Sequence, residues 1–105
     1  MKTWHGLLII ALLVVAGCTW VKPTEAGMAV SVATFEQVDA CQKLGKVTVN
    51  VLDRIGFIPR SEKQVAEELR TMAKNSASEM SGDTIVAVSK VTEGEQAFNV
   101  YRCGK

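Results

Sequence analysis

The 105-residue sequence contains a single histidine, His5, which lies in the N-terminal apolar segment. The rest of the chain offers no imidazole as a general base or zinc ligand. No glycine-rich phosphate loop follows a predicted strand, and Ser61 and Ser81 have no plausible partner base. We therefore expect a protein that is not an enzyme and that holds neither a cofactor nor a metal ion.

The sequence also lacks an excess of positive charge. It has 12 Lys and Arg against 11 Asp and Glu, and no basic run. Nucleic acids attract proteins chiefly through clustered basic side chains. The charge balance therefore predicts that the protein does not bind nucleic acid.

No apolar run is long enough for a membrane-spanning helix, which needs about 20 residues. The longest one, residues 7–15, follows the single cation Lys2 and precedes the small residues Ala16 and Gly17. A basic start, a short apolar stretch and small residues are typical of an export signal. We predict a signal peptide over residues 1–17.

The signal ends in Val15-Ala16-Gly17-Cys18, which resembles the lipobox of bacterial lipoproteins. In such proteins the cysteine thiol receives a diacylglyceryl group, and a membrane peptidase then cuts before that cysteine. The small residues allow the backbone to enter the peptidase. The resemblance implies cleavage between Gly17 and Cys18, with the lipid attached to Cys18.

The exported chain would have 105 − 17 = 88 residues, enough for one small domain. Residues 18–27 carry the lipidated cysteine and a short tether with Pro23 and Gly27, and residues 28–105 form the domain. Trp20 has two possible positions, in the lipid interface or on the domain. A tether of nine residues reaches about 30 Å, so the domain must stay near its own membrane.

Two further cysteines remain, Cys41 and Cys103. In an oxidising compartment an even pair indicates a disulfide, and a core this small benefits from a covalent link. Two free thiols are the alternative. We predict a Cys41–Cys103 disulfide.

Apolar periodicity predicts four strands and one helix. The helix spans residues 61–80, with Ser61 and Gln64 as a capping box and Gly82 as the left-handed stop. Its apolar face comprises Val65, Leu69, Met72, Ala73, Ala77 and Met80. The strands cover residues 28–33, 46–52, 84–91 and 96–103. We expect residues 53–59 to form a loop whose Ile55, Phe57 and Ile58 close one end of the core.

The order of elements, β-β-α-β-β, predicts an α+β domain with the helix packed on a mixed four-stranded sheet. A helix between two strands favours a parallel crossover, and a turn at Gly94 makes the last two strands antiparallel. Cys41 and Cys103 then lie at the same end of the sheet. If the third strand separates theirs, the loop that carries Cys41 must fold over the sheet end, because two strand spacings exceed disulfide reach.

Three carboxylates are candidates for acid–base groups, those of Glu67, Glu68 and Asp83. Glu67 and Glu68 are predicted to lie on the exposed flank of the helix. Asp83 follows Gly82, where Asp commonly accepts hydrogen bonds from backbone groups in turns. We therefore expect Asp83 to be a structural corner rather than a catalytic site.

Several segments carry a resemblance to a known family. They are the lipobox, Cys41-Gln-Lys-Leu-Gly-Lys-Val, the stretch from Leu69 to Val86 that contains Ser-Gly-Asp-Thr-Ile-Val, and the ending Phe98-Asn-Val-Tyr-Arg-Cys103. Together they resemble the small proteobacterial lipoproteins of uncharacterised function, which are distantly similar to the lipoprotein that senses envelope stress for the Rcs phosphorelay. The resemblance covers nearly all of the exported chain.

These observations predict a non-enzymatic envelope lipoprotein, held in the membrane by the lipid on Cys18, that contacts another envelope protein. Thr19 is not the aspartate that commonly retains lipoproteins in the inner membrane, so we expect the outer membrane, facing the periplasm. The alternatives are envelope-stress sensing, by analogy with the Rcs lipoprotein, and small-ligand binding on an open sheet face near Thr48, Asn50, Asn99 and Tyr101.

Overall fold

The computed structural model describes residues 21–104 of the chain, which form two α-helices and six strands. In chain order the elements are α1 (Glu25–Met28), β1 (Ser31–Val32), a 3-10 turn (Glu36–Val38), β2 (Gln42–Asn50), β3 (Arg54–Ile55), β4 (Ile58–Pro59), α2 (Glu62–Glu79), β5 (Thr84–Ala87) and β6 (Glu95–Arg102). The fold is α+β, with one main helix on a mixed four-stranded sheet, as predicted.

The strands of the main sheet lie in the order β1-β5-β6-β2. β1 is parallel to β5, and β6 is antiparallel to both of its neighbours, β5 and β2. β2 and β5, the main-sheet strands before and after α2, therefore run in the same direction, as the crossover rule predicts, but β6 lies between them. The turn before β6 is formed by Glu93 and Gly94, which both have positive φ.

Helix α2 packs on one face of this sheet through the apolar stripe that its periodicity predicts. Val65, Leu69, Ala73 and Ala77 are buried, and Met72 and Met80 are partly buried against the same cluster. From the sheet they meet Val49, Ile85, Phe98 and Val100. Small alanines on the helix allow it to approach the strands closely, so larger strand side chains fill the space between the two layers.

Helix α2 begins and ends within one residue of the predicted bounds, but Gly82 does not have the predicted role at its end. At the start, the Ser61 hydroxyl accepts a hydrogen bond from the Gln64 backbone N–H. At the end, the Ser81 N–H donates to the Ser78 carbonyl and the Gly82 N–H to the Ala77 carbonyl, which is the Schellman pattern. Ser81, with φ of 65°, is the left-handed residue, so the prediction that Gly82 is that residue was wrong.

Gly82 is required instead by close packing. A Cβ added there would lie 2.5 Å from a methyl carbon of Val100 and 3.2 Å from the carbonyl oxygens of Ala77 and Tyr101. Val100 is completely buried. The glycine thus lets the turn after α2 lie directly on the sheet.

The bounds of two strands differ from the prediction. β2 begins at Gln42, four residues earlier than expected, because its start pairs with the end of β6 across a bulge between Lys43 and Gly45. β5 ends at Ala87 instead of continuing to Val91. Beyond it the Ser89 hydroxyl, not a backbone group, accepts the Ala97 N–H.

The segment predicted as the end of the tether is folded. Thr24 caps the short helix α1, and its own N–H donates to the Asn75 side chain on α2. Asn75 in turn donates to the Lys22 carbonyl. Contacts with a residue more than 50 positions away hold this segment, so local sequence did not reveal it, and the predicted strand from Met28 begins only at Ser31.

The predicted loop at residues 53–59 is a β3–β4 hairpin, and it does not close the core. Ile55, Phe57 and Ile58 are exposed, and Phe57 is exposed completely. β3 and β4 pair with each other in a separate two-stranded sheet, so they do not carry these side chains onto the core. The expectation that these three side chains pack inward was therefore wrong.

Candidate functional site

Cys41 and Cys103 form a disulfide, with their Cα atoms 4.6 Å apart. Cys41 directly precedes β2, Cys103 directly follows β6, and the adjoining residues Gln42 and Arg102 pair in the sheet. Because β6, and not β5, lies beside β2, the cysteines face each other across one strand spacing. The predicted link is confirmed, and the Cys41 loop does not need to fold over the sheet end.

A second, smaller apolar cluster lies under this disulfide, on the face of the sheet away from α2. Val38 from the 3-10 turn packs there with Val86 and Tyr101, and both cysteines border the cluster. The turn thus covers the disulfide end of the outer sheet face.

Asp83 is the structural corner that the sequence predicts. One carboxylate oxygen accepts the Cys103 backbone N–H at 2.8 Å and the Thr84 hydroxyl at 2.9 Å, and the other accepts the Gly104 N–H at 3.1 Å. The side chain therefore fixes the chain end beside the disulfide. Both carboxylate oxygens of Asp83 thus accept hydrogen bonds that stabilise the fold.

Glu68 is buried, contrary to the prediction that it lies on an exposed flank. Its two carboxylate oxygens accept hydrogen bonds from the Arg60 guanidinium at 2.6 and 3.1 Å, and Arg60 also donates to the Leu52 carbonyl at 2.8 Å. The hydrogen bonds to Glu68, together with its negative charge, raise the pKa of Arg60 above its ordinary value. Glu67 is exposed as predicted.

A signal for this pair was present in the sequence. Glu68 is three residues after Val65 and four before Met72, so it lies on the apolar stripe of α2. A carboxylate in such a position needs a buried partner. Arg60, just before the helix, is that partner, and its position outside the helical period gives no local signal of the pairing.

The outer sheet face proposed for ligand binding is divided into two parts. Asn99 and Tyr101 are buried, and the Asn99 amide donates to the Tyr101 hydroxyl at 3.3 Å. Thr48 and Asn50 instead line an open cavity of about 440 Å³ at the far end of the sheet. Its other lining residues are Ser89, Lys90, Thr92, Glu93, Glu95 and Ala97. The structure therefore does not bring the four predicted residues together.

Within residues 21–104 no group of three or more His, Cys, Asp or Glu side chains is arranged to hold a metal ion. No helix in that range has the length and apolar character needed to cross a bilayer. The predicted signal peptide 1–17, the cleavage site at Gly17 and Cys18, the lipidated Cys18 itself, Thr19 and Trp20 lie outside the described residues.

Residues 21–103 match the model of a family described as a domain of unknown function, DUF4156. No curated protein and no solved structure matches the chain. The match spans all the elements described above, from α1 to Cys103. The resemblance to proteobacterial lipoproteins and to the Rcs sensor stays a prediction. By the family match, the chain belongs to the DUF4156 family.

Proposed function

We propose that this protein is a proteobacterial envelope lipoprotein, anchored by a lipid on Cys18 in the outer membrane and facing the periplasm. The observation that carries the proposal is the Cys41–Cys103 disulfide. It joins two cysteines that are 62 positions apart in the sequence, and the loop between them contains most of the domain. Disulfides of this kind form in oxidising compartments outside the cytosol. Together with the lipobox at residues 15–18, it supports export followed by anchoring.

We propose further that the domain acts by protein contact and not by catalysis. The buried Glu68 carboxylate is paired with Arg60, and the Asp83 carboxylate binds backbone N–H groups. Both are therefore committed to structural interactions. This commitment favours a binding module over an acid–base catalyst.

The surface that best fits a protein partner surrounds the edge strand β1. Among the strands of the described residues, β1 pairs with β5 on one side and has no neighbouring strand on the other. Met28, Val32 and Phe35, which lie in and around it, are exposed apolar side chains. An open sheet edge flanked by apolar side chains is a common site for a partner's extended segment.

The cavity at Thr48 and Asn50 supports a second candidate, a small polar ligand. Its lining combines hydroxyl and amide groups with the oppositely charged Lys90 and Glu95. Such a mixture fits a small molecule that carries both donors and acceptors. The cavity is open, and it lies on the outer sheet face at the end opposite the disulfide.

One experiment distinguishes the protein-contact function from the small-ligand function. The tagged, lipid-bearing protein is crosslinked in envelope membranes, and proteins and small molecules that co-purify are identified by mass spectrometry. We expect a protein partner that is lost in Phe35→Ser and retained in Asn50→Ala. A small molecule lost only in Asn50→Ala favours the cavity instead. Recovery of nothing beyond an untagged control contradicts the contact role.

A further inference from the structure

The tip of the β3–β4 hairpin presents apolar side chains to solvent. Phe57 and Gly56 form its two-residue turn, and Gly56 has the positive φ of 63° that this turn requires. Phe57 is completely exposed, and Ile55 and Ile58 are 58% and 72% exposed on either side of it. Leu52, just before the hairpin, is also exposed. Four large apolar side chains so close in sequence are unusual on the surface of a small protein.

Ion pairing holds the base of this hairpin in place. The Arg60 N–H donates to the Asp53 carbonyl, which closes the base of the hairpin. The Arg60 guanidinium then binds the Leu52 carbonyl and the Glu68 carboxylate on α2. The apolar tip is therefore presented by a fixed element and is not a loose loop.

The N-terminal segment approaches the same end of the molecule. Asn75, in the C-terminal third of α2, donates a hydrogen bond to the Lys22 carbonyl. One residue earlier, Val21 lines a cavity of about 300 Å³ together with Leu52 and Arg60, at the base of the hairpin. The chain thus runs from Asn75 toward the N-terminal end of α2, where the hairpin projects.

From this placement we propose that the β3–β4 hairpin is a second membrane contact. Its tip, Ile55, Phe57 and Ile58, lies in the interface of the bilayer that holds the lipid on Cys18. The inference rests on the proposed lipid anchor. Cys18 is three residues before Val21, a reach of about 11 Å at full extension. The lipid must therefore enter the membrane close to the hairpin base.

The hairpin tip is more suited to contact the bilayer than a second copy of the chain. A lipid tether keeps the hairpin at a high effective concentration near the membrane at all times. Aromatic and aliphatic side chains partition into the interfacial region, at a depth of about 5–10 Å. The Arg54 side chain, beside Ile55, is 65% exposed, and its ion pair with Asp53 is long, at 3.9 Å, so the guanidinium can also meet lipid phosphates.

Tryptophan fluorescence tests the proposal on the full lipidated protein. Trp20 is replaced by Phe, and Phe57→Trp is introduced as a reporter at the hairpin. The matched control is Phe35→Trp, an exposed phenylalanine near the disulfide end of the sheet. Both proteins are reconstituted into phosphatidylcholine vesicles with and without bromine on the upper acyl chain. Mass spectrometry and flotation confirm that each protein carries its lipid and binds vesicles.

We expect bromine to reduce emission from residue 57 about twofold, while that from residue 35 hardly changes. Floating, lipidated protein without quenching at residue 57 overturns the hairpin contact and leaves the anchor proposal intact. Equal quenching at both positions also overturns it. If the lipidated protein is a dimer in detergent, and residue 57 is as shielded from solvent there as in vesicles, the tip contacts a second copy of the chain instead of the bilayer. Protein without lipid refutes the proposed anchor, and this inference with it.

Discussion

Arg60 and Glu68 form a two-pronged ion pair that is almost fully shielded from solvent, with side chains only 5% and 10% exposed. The pair joins Arg60, two residues before the start of α2, to the second turn of that helix, and Arg60 also donates to the Leu52 carbonyl. It therefore couples three segments, the end of β2, the hairpin and the helix.

The first prediction concerns Glu68 and its exposed neighbour Glu67. Glu68→Gln leaves the buried Arg60 charge without its counter-charge, and such losses are strongly destabilising. We expect the thermal midpoint to fall by about 5 °C or more, while Glu67→Gln shifts it by less than about 2 °C. Calorimetry of both variants measures the difference. Equal midpoints would show that the pair contributes nothing to stability.

The same pair has a defined pH dependence. The pKa of Arg60 is raised by its hydrogen bonds to Glu68. A raised pKa means that the folded state holds this proton more tightly than the unfolded state. The contribution of the Arg60 charge is therefore complete at neutral pH and is lost as the pH rises through the strongly alkaline range.

The second prediction concerns the turn after α2. Ser81 adopts a left-handed backbone, which costs a non-glycine residue about 1–2 kcal/mol. We expect Ser81→Gly to leave stability unchanged or to raise it slightly. Gly82→Ala should cost about 1–3 kcal/mol, because its Cβ would overlap Val100. Urea unfolding curves of the two variants provide the measurement, and the reverse ranking would restore Gly82 as the left-handed stop.

The third prediction concerns the disulfide. Loss of the Cys41–Cys103 link should cost about 2–5 kcal/mol, against a total of about 5 kcal/mol for a small domain. The double Cys→Ala variant should be no less stable than either single one, since each removes the same constraint. Reducing agent should destabilise the natural chain and leave the double variant unchanged. Thiol trapping that labels both cysteines in the native protein would contradict the link and reopen a redox role.

The fourth prediction is lipid attachment at Cys18. Cys18→Ser should leave an unprocessed precursor that incorporates no palmitate analogue in growing cells. Each buried methylene contributes about 0.8 kcal/mol, so two or three acyl chains make release from the membrane negligible. The Cys41→Ser variant is the matched control and should still be labelled. Equal labelling of Cys18→Ser and the natural chain would refute the anchor.

The fifth prediction concerns which membrane holds the protein. In a cell with two membranes, the natural chain with Thr19 should fractionate with the outer membrane. Thr19→Asp should move it to the inner membrane. Fractionation on a sucrose gradient, followed by immunoblotting, distinguishes the two. Inner-membrane recovery of the natural chain would contradict the outer-membrane assignment.

Local patterns in the sequence determined much of this fold. The period of Val65, Leu69, Ala73 and Ala77 defines the buried face of α2, because residues three and four apart share one side of a helix. The alternation in β2 and β6 likewise separates the inner side chains from the outer ones. The pairing of the cysteines followed from their number and from the direction of the strands. Each of these inferences depends on residues that are close in sequence or on covalent chemistry.

Tertiary structure alone decided the remainder. The position of β6 beside β2 arises from competition among strand pairings that local patterns do not rank. The same holds for the Arg60–Glu68 pair, for the attachment of residues 22–24 to Asn75, and for the packing of Gly82 against Val100. The exposure of Phe57 depends on the hairpin forming a sheet of its own, separate from the main one. These features are set by contacts between separate segments, so they appear only once the whole domain is packed.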